Sequence, residues 1–222
     1  MASNSGKDGR PRHRRGKSLA AAQKKRAGGS NSVRIIGGAW RGRRIRFPSV
    51  AELRPTPDRV RETLFNWLQG VIGDARCLDL FAGSGALGLE ALSRGAREVV
   101  FVEHATEVAQ ALRASLATLG GTAARVVGGD AFRFLAGSAR PFDVVFLDPP
   151  FAQGRQDELC KLLEDGGWLA PRAFIYLECA ARGGRPPLPS AWETVRETRA
   201  GEVLAVLARR REPAGSERMV ET

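Results

Sequence analysis

The chain from Cys77 onward alternates between short, continuously apolar runs and stretches in which apolar residues recur at helical spacing. Strands of this kind, separated by helices, are typical of a parallel sheet covered by helices on both faces. Two further runs, near residues 192–198 and 202–208, are close enough in sequence to pair as an antiparallel hairpin. The pattern therefore predicts an α/β fold with a mostly parallel, seven-stranded sheet. The first five strands are CLDLFA, EVVFVE, ARVVGG, DVVFLDPP and AFIYLEC, with helices at about 86–94, 106–119 and 156–163.

The segment before this sheet predicts a small hairpin that is rich in arginine. From Val33, the sequence VRIIGGAWRGRRIRFP is typical of two short strands joined through a glycine-rich turn. Positive side chains interleaved with an indole indicate a nucleic-acid surface, because cations bind phosphates and the ring stacks on a base. Trp40 has a second interpretation, in which its ring simply covers the core. The hairpin carries Arg34, Trp40, Arg41, Arg43, Arg44 and Arg46.

The next segment, RPTPDRVRETLFNWLQG, predicts a helix. Val60, Leu64, Trp67 and Leu68 recur at helical spacing and define an apolar face. Thr56 is expected to cap this helix, with the following proline in the first helical position. Arg59 and Glu62 then lie on other faces, free to meet a ligand or the hairpin.

Charge is concentrated at the amino-terminal end of the chain. Residues 1–46 contain 14 Lys and Arg but a single acid, whereas the remaining residues contain 21 Lys and Arg against 23 acids. Such a basic segment attracts polyanions, and nucleic acid is the leading partner. Residues 1–31 are polar and glycine-rich, so we expect them to be disordered in the absence of a partner. A solvated tail or a localisation signal is the alternative for this leader.

Composition excludes several function classes. With 222 residues and 43% hydrophobic content, the chain is long enough to bury a core, yet it contains no apolar stretch of membrane-spanning length. The three cysteines are far apart and the chain has two histidines, which argues against a zinc site, a disulfide framework or a serine-hydrolase triad. We therefore expect a cytoplasmic protein without a metal.

A glycine-rich turn follows the first strand of the sheet. Gly83, Gly85 and Gly88 form the pattern G-x-G-x-x-G at the start of a helix, where glycines allow a sharp turn and let backbone N–H groups approach a ligand. Turns of this kind bind NAD, FAD or S-adenosylmethionine. Glu103 ends the next strand, where a carboxylate can accept both hydroxyls of a ribose. The alternative is that Glu103 is only a charge at a strand end.

The fourth strand ends in Asp148-Pro149-Pro150-Phe151, beside the ligand crevice of a doubly wound sheet. This arrangement suits methylation of an exocyclic amino group, which is a poor nucleophile because its lone pair is delocalised into the base. If Asp148 and the Pro149 carbonyl each accept one N–H, the lone pair is aimed at the methyl donor. The prolines fix the direction of that carbonyl, and Phe151 offers a face for stacking. An ordinary turn at a strand end is the alternative.

Four segments together resemble one protein family. They are VRIIGGAWRGRRIRFP, LRPTPDRVRETLFNWL, CLDLFAGSGALGLEALSRGA and DVVFLDPPF, and the similarity extends from about Val33 to Arg210. The family is that of the bacterial small-subunit ribosomal RNA guanine-N2 methyltransferases, the RsmD family. The resemblance implies a Rossmann-like class I methyltransferase fold with an N-terminal hairpin and helix. It also implies methyl transfer from S-adenosylmethionine to the N2 amino group of one guanine in 16S rRNA, in the small subunit or an assembly intermediate, by a monomer.

The same resemblance implies roles for individual residues. Asp79 and the glycine turn would bracket the methionine part of the cofactor, Glu103 would bind its ribose, and Asp130 would bind the adenine amino group. The catalytic segment would be the four residues 148–151. The residues implied for the cofactor are Asp79, Ala82, Gly83, Ser84, Gly85, Glu103, His104, Asp130, Ala131 and Thr56. Those implied for RNA are Arg34, Trp40, Arg41, Arg43, Arg44, Arg54 and Arg59.

We divide the chain into four parts on these grounds. They are a basic leader over 1–31, an RNA-binding hairpin and helix over 32–70, a methyltransferase domain over 71–211 and a flexible tail over 212–222. Two other functions remain open at this point. One is adenine-N6 or cytosine-N4 methylation of DNA or another RNA, and the other is a non-catalytic RNA-binding factor on an inherited fold.

Removal of residues 1–31 is expected to weaken RNA binding and to flatten its salt dependence, because fewer counterions are then released from the RNA. The methylated atom is expected to stay the same. Filter-binding titrations at several salt concentrations measure the slope. An unchanged slope would assign the leader to a role other than phosphate binding.

Overall fold

The computed structural model describes residues 31–48, 56–150 and 154–212. The leader up to residue 30, Arg54, Phe151 and most of the tail lie outside the described residues. The first strands, β1 (Asn31–Arg34) and β2 (Arg44–Phe47), form the predicted antiparallel hairpin. The other strands are β3 (Arg76–Asp79), β4 (Glu98–Glu103), β5 (Ala124–Gly128), β6 (Phe142–Leu147), β7 (Leu169–Ala180), β8 (Trp192–Ala200) and β9 (Val203–Arg210). The helices are α1 (Asp58–Trp67), α2 (Ala86–Ser93), α3 (Thr106–Leu119), α4 (Ala131–Leu135) and α5 (Gln156–Asp165).

The main sheet has seven strands in the order β5-β4-β3-β6-β7-β9-β8. Strands β3 to β7 are parallel, and β9 is antiparallel to both β7 and β8. The predicted parallel sheet with its antiparallel C-terminal hairpin is therefore confirmed. Strand β3 has β4 on one side and β6 on the other, so the order of the chain reverses there. In an open α/β sheet, such a point leaves a crevice at the carboxyl ends of the strands, which is where ligands bind.

Helix α1 differs from the prediction at its first turn. It begins at Asp58, and its N-cap residue is Pro57, which offers no side-chain cap. The expected capping role of Thr56 is therefore wrong, because this residue lies one position too early and its side chain is buried. The apolar face is as predicted, with Val60 and Leu64 buried.

Apolar residues fill both faces of the main sheet. On one face, the inward side chains of the hairpin and of α1 pack with those of β4 and β6 in a single hydrophobic cluster. The other face packs against α4, α5 and Trp168. The hairpin and α1 are thus continuous with the core of the sheet. Within the described residues, no helix has both the length and the apolar character needed to span a bilayer.

A buried carboxylate joins the hairpin to the main sheet. Glu90 of α2 has no exposed surface, and its two oxygens accept the N–H groups of Ile36 at 2.8 Å and Gly37 at 2.7 Å. Arg94 donates to the same carboxylate at 2.8 Å. Because a buried charge is tolerated only when it is paired and hydrogen-bonded, these contacts fix the hairpin on α2.

Arg61 extends this network to the segment before α1. Its guanidinium is fully buried, lies 3.5 Å from Glu90, and donates to the carbonyl oxygens of Arg34 at 2.9 Å and Thr56 at 3.2 Å. It also pairs with Asp58 at 2.6 Å. One buried cation therefore links β1, the residue before α1, and α2.

Replacement of Glu90 by alanine is expected to lower the free energy of unfolding by about 3–5 kcal/mol, because it removes the buried anion beside the Arg61 guanidinium and leaves two backbone N–H groups unpaired. Urea unfolding measures the change. The matched control is Glu158→Ala, which removes an exposed pair with Arg155 and should have little effect. Equal effects of the two substitutions would contradict the structural role given to Glu90.

Candidate active site

Three acidic residues meet at the carboxyl edge of the sheet. Asp79 ends β3, Glu103 ends β4, and Asp148 directly follows β6. Strands β4 and β6 both pair with β3, so the three side chains lie around the point where the order of strands reverses. This is the predicted position of a ligand crevice.

Each glycine of the predicted turn has a distinct structural reason. Gly83 and Gly85 have φ values of +50° and +76°, in the left-handed region that favours glycine. Gly88 lies where α2 packs on β4, and a Cβ there would come within 2.2 Å of a ring carbon of Phe101. The glycines therefore shape the turn and bring α2 close to the sheet.

Glu103 connects the glycine turn to β4. Its side chain is buried, one oxygen accepts the N–H of Gly83 at 2.8 Å, and the other accepts the N–H of Ala105 at 2.7 Å. Each carboxylate oxygen has a further lone pair, so hydroxyl groups of a ligand can still bind. His104, in contrast, is 73% exposed, with Nδ1 at 3.2 Å from the Glu103 carboxylate.

Asp79 is buried beneath the same turn. Its carboxylate accepts the N–H of Gly88 at 3.0 Å, which holds the first turn of α2 against β3. Burial raises the pKa of Asp79 to about 7; the bond from Gly88 opposes the shift, and the negative charge of Glu103 adds to it. The resemblance also assigns Ala82 and Ser84 to the cofactor. Both residues are buried in the glycine turn.

Asp130 is the N-cap residue of the short helix α4, which the sequence pattern did not predict. Its carboxylate accepts the N–H of Arg133 at 3.0 Å and so caps the helix. The residue itself is exposed, with Ala131 buried beside it. A five-residue helix is too short to show a hydrophobic period, which explains why only the strand before it was detected.

The Asp148 segment follows β6, the strand beside the one that leads into the glycine turn. Asp148 is half-buried, Pro149 is buried and Pro150 is half-buried. The pKa of Asp148 is raised well above its ordinary value, mainly by burial and then by the negative charges of Glu178 and Asp79. A hydrogen bond with the Thr56 side chain acts in the opposite direction.

Glu178 is a residue of this site that sequence reasoning missed. It lies in β7 with 3% exposure, and the parallel pairing of Leu147 with Leu177 brings it beside Asp148. The Tyr176 hydroxyl donates to its carboxylate at 2.8 Å. Burial raises the pKa of Glu178, while hydrogen bonds lower it. The sequence feature that could have revealed Glu178 is an acidic residue inside the otherwise apolar run FIYLEC.

Thr56 also belongs to this part of the site. Its side chain lies near both Asp148 and Glu178 and lowers the pKa of each carboxyl, against the larger effect of burial. The resemblance assigned Thr56 to the cofactor, and the structure brings it to the carboxyl pair. A groove of about 390 Å³ beside it is lined by Arg34 and Arg44 of the hairpin.

The candidate RNA-binding arginines that the structure describes lie on the surface. Trp40 is half-buried and packs against the core, which favours the second of its two interpretations. The exposed candidates are Arg34, Arg41, Arg43, Arg44 and Arg59. No group of three or more His, Cys, Asp or Glu side chains in the described part of the chain could hold a metal ion.

The parallel sheet, the glycine turn after β3, the acid at the end of β4 and the Asp-Pro-Pro turn after β6 define a Rossmann-like class I methyltransferase fold. Known proteins agree with this class. The family model described as Conserved hypothetical protein 95 matches residues 33–209. The solved structure of the yhhF protein from Escherichia coli superposes with a TM-score of 0.77 at 51% identity, covering 82% of this chain and 99% of that one.

Two curated relatives carry the name "Ribosomal RNA small subunit methyltransferase D". The protein of Escherichia coli strain K12 is 53% identical over 182 residues, which are 82% of this chain and 92% of the relative. That of Haemophilus influenzae is 44% identical over 176 residues, which are 77% of this chain and 90% of the relative. The chain belongs to the RsmD family.

Substitution of Asp79 by asparagine is expected to change how stability depends on pH. The pKa of Asp79 is about 7 in the native state and near its ordinary value in the unfolded chain, so the native state retains a proton that the unfolded state loses. As the pH rises from about 4 to about 7, the stability of the wild-type protein should therefore fall relative to that of the variant, by at most about 1.4 kcal/mol per pH unit. Urea unfolding at a series of pH values measures this difference. A constant difference would contradict the shifted pKa.

Proposed function

We propose that this protein transfers a methyl group from S-adenosylmethionine to the exocyclic N2 amino group of a guanine in 16S rRNA. The observation that carries the proposal is the position of the Asp148-Pro149 turn. It follows β6, the strand next to β3, so it lies at the same carboxyl edge of the sheet as Asp79, Glu103 and the glycine turn, close enough for Asp79 to raise the pKa of Asp148.

The residues present fit the chemical groups of the cofactor. Glu103 offers acceptors for two ribose hydroxyls, Asp130 offers one for the adenine amino group, and Asp79 lies beneath the turn that would enclose the methionine part. Backbone N–H groups in the first turn of α4 have no partner within the helix and can add to this set. When bound, S-adenosylmethionine supplies an electrophilic methyl group on a sulfonium.

Asp148 and the Pro149 carbonyl perform the alignment. Each accepts one N–H of the amino group, which aims the nitrogen lone pair at the methyl donor. The two prolines hold that carbonyl in place, because their φ angles are fixed. The raised pKa of Asp148 also suits it to accept the proton that the methylated nitrogen then loses.

The substrate class rests on the relatives and on the hairpin. Both curated relatives are named for methylation of small-subunit ribosomal RNA. The hairpin presents exposed arginines, among them Arg34 and Arg44 beside the groove next to Thr56. Such cations bind phosphates without reading sequence, which suits docking on a folded RNA. The proposed partner is the small subunit or its assembly intermediate in the cytoplasm, and the enzyme acts as a monomer.

Replacement of Asp148 by alanine is expected to reduce methyl transfer by about 10²–10⁴-fold, because the amino group loses its acceptor and its alignment. Binding of S-adenosylmethionine, measured by calorimetry, should change little. Transfer is measured with labelled cofactor and small subunits that lack the modification, followed by nucleoside analysis. Asp165→Ala, an exposed acid at the end of α5, is the control.

The wild-type enzyme should place the label in N2-methylguanosine. Label in N6-methyladenosine or N4-methylcytidine would overturn the proposed base. Cofactor binding without label in ribosomal RNA would be consistent with the fold but would indicate that the substrate is DNA, transfer RNA or protein. Equal loss of transfer and of cofactor binding in the alanine variant would contradict the role of Asp148.

A further inference from the structure

A groove separates the outward face of the hairpin from the start of α1. Two arginines of the hairpin, Arg34 and Arg44, line it and are directly opposite each other in the antiparallel register of β1 and β2. Both residues are exposed. The hairpin wall of the groove therefore carries two adjacent positive charges. The groove has a volume of about 390 Å³, and its lining consists of Ser32, Val33, Arg34, Arg44, Thr56, Pro57 and Asp58.

The arginine pair is an unfavourable arrangement in the hairpin itself. Like charges at directly opposite positions of two strands destabilise the pairing of those strands. Within the described residues, Arg34 has one acidic partner, Asp58 at 3.6 Å, and Arg44 has none. Asp58 is itself shared with Arg61, at 2.6 Å. The acid of the groove therefore leaves positive charge on the hairpin wall, which an anion in the groove would neutralise.

Arg61 fixes the two walls of the groove relative to each other. Its buried guanidinium donates to the carbonyl of Arg34 on the hairpin at 2.9 Å and to that of Thr56 before α1 at 3.2 Å. It also binds Asp58, which in turn holds the Arg34 side chain. The width of the groove is therefore set before a ligand enters, and a ligand binds such a preorganised site at a lower cost in entropy.

The chemistry of the lining selects a phosphate of the RNA backbone. Guanidinium groups bind phosphate oxygens through paired N–H donors, and the Ser32 hydroxyl can donate a further hydrogen bond. None of the described lining residues is aromatic, so a base would find no surface on which to stack. The groove therefore suits a phosphodiester better than a nucleobase.

Thr56 relates the groove to the candidate active site. This residue lines the groove, and its buried side chain also lies near Asp148, whose pKa it lowers. A single residue thus separates the groove from the carboxyl that would accept the guanine amino group. A phosphate in the groove and a base at Asp148 would consequently belong to the same nucleotide or to adjacent nucleotides.

We propose that the groove between the hairpin and α1 binds a backbone phosphate that flanks the target guanosine, with Arg34 and Arg44 as its ligands. This inference rests on the proposed function and gives these two arginines a positioning role that general docking does not require. A base within a stack presents its amino group poorly, so the target nucleotide has to leave the stack. A phosphate held beside Asp148 offsets part of that cost and orients the base.

The first test separates positioning from docking by kinetics. Arg34→Gln and Arg44→Gln each remove one charge and keep a polar side chain in the groove. With saturating small subunits that lack the modification, each variant should lower kcat by about 10–100-fold, because a misplaced substrate reacts slowly even when it is bound. Arg41 lies in the turn of the hairpin and outside the groove lining, so Arg41→Gln should raise KM instead. The proposal is wrong if the groove variants change KM alone, or if the Arg41 variant loses kcat to the same extent.

The second test does not require methyl transfer. NMR of the arginine side-chain Nε–H groups, assigned with the glutamine variants, follows a titration of the enzyme with hexauridylate, a short RNA without guanine. The signals of Arg34 and Arg44 should shift more than that of Arg199, an exposed arginine of β8, and uridine without a phosphate should leave them unchanged. Absence of these shifts with hexauridylate would overturn the proposal, and shifts with inorganic phosphate alone would then indicate a site for a free anion. Equal shifts with uridine would assign the groove to a base and would also overturn it.

The controls separate this inference from folding and from the proposed function. Thermal unfolding shows whether each variant is folded, and Arg199→Gln removes the same charge at a residue that does not line the groove. Failure of the wild-type enzyme to form N2-methylguanosine would overturn the proposed function, while the NMR titration still decides whether the groove binds RNA phosphates. Formation of that nucleoside with wild-type kcat in both groove variants would reject the positioning role alone.

Discussion

The buried carboxylate of Glu90 is the contact on which the geometry of the site depends. It accepts the backbone N–H groups at the end of β1, and it lies beside the Arg61 guanidinium, which donates to the Thr56 carbonyl. The side chain of Thr56 then meets Asp148. A chain of buried polar contacts therefore runs from the hairpin, through α2 and α1, to the Asp-Pro-Pro turn. Removal of Glu90 or Arg61 would leave backbone groups of the hairpin without these partners.

Charge is segregated between the crevice and the surface. Asp79, Glu103, Asp148 and Glu178 gather at one edge of the sheet, where backbone N–H groups and hydroxyls, rather than cations, satisfy them. A site with this excess of negative charge favours a cationic ligand. The sulfonium of the proposed cofactor is such a ligand, whereas the polyanionic substrate would meet the arginines of the hairpin outside the crevice.

Local patterns were sufficient to predict the sheet, the glycine turn and the Asp-Pro-Pro segment, because each is written in consecutive residues. Contacts between residues that are far apart in sequence could not be predicted in this way. Glu90 binds a segment 53 and 54 positions away, and its residue type gave no sign of its partners. Arg61 is an arginine inside a helical pattern, where periodicity alone places charges on the surface. Glu178 was not detected inside an apolar strand, since its position beside Asp148 depends on the pairing with the neighbouring strand.

Thr56 shows how the prediction and the structure differ in physical terms. A threonine before Pro-Asp is a strong signal for a helix cap, yet the helix begins one residue too late for it. The backbone of Thr56 is held instead by Arg61, and its side chain lies near Asp148 and Glu178, where it lowers the pKa of both carboxyls. The segment before α1 therefore reaches the acidic residues at the carboxyl edge of the sheet, although it lies outside the sheet. On the proposed function, the same contacts set the distance between RNA bound at the hairpin and the amino group held at Asp148, so a rigid hairpin contributes to the choice of base.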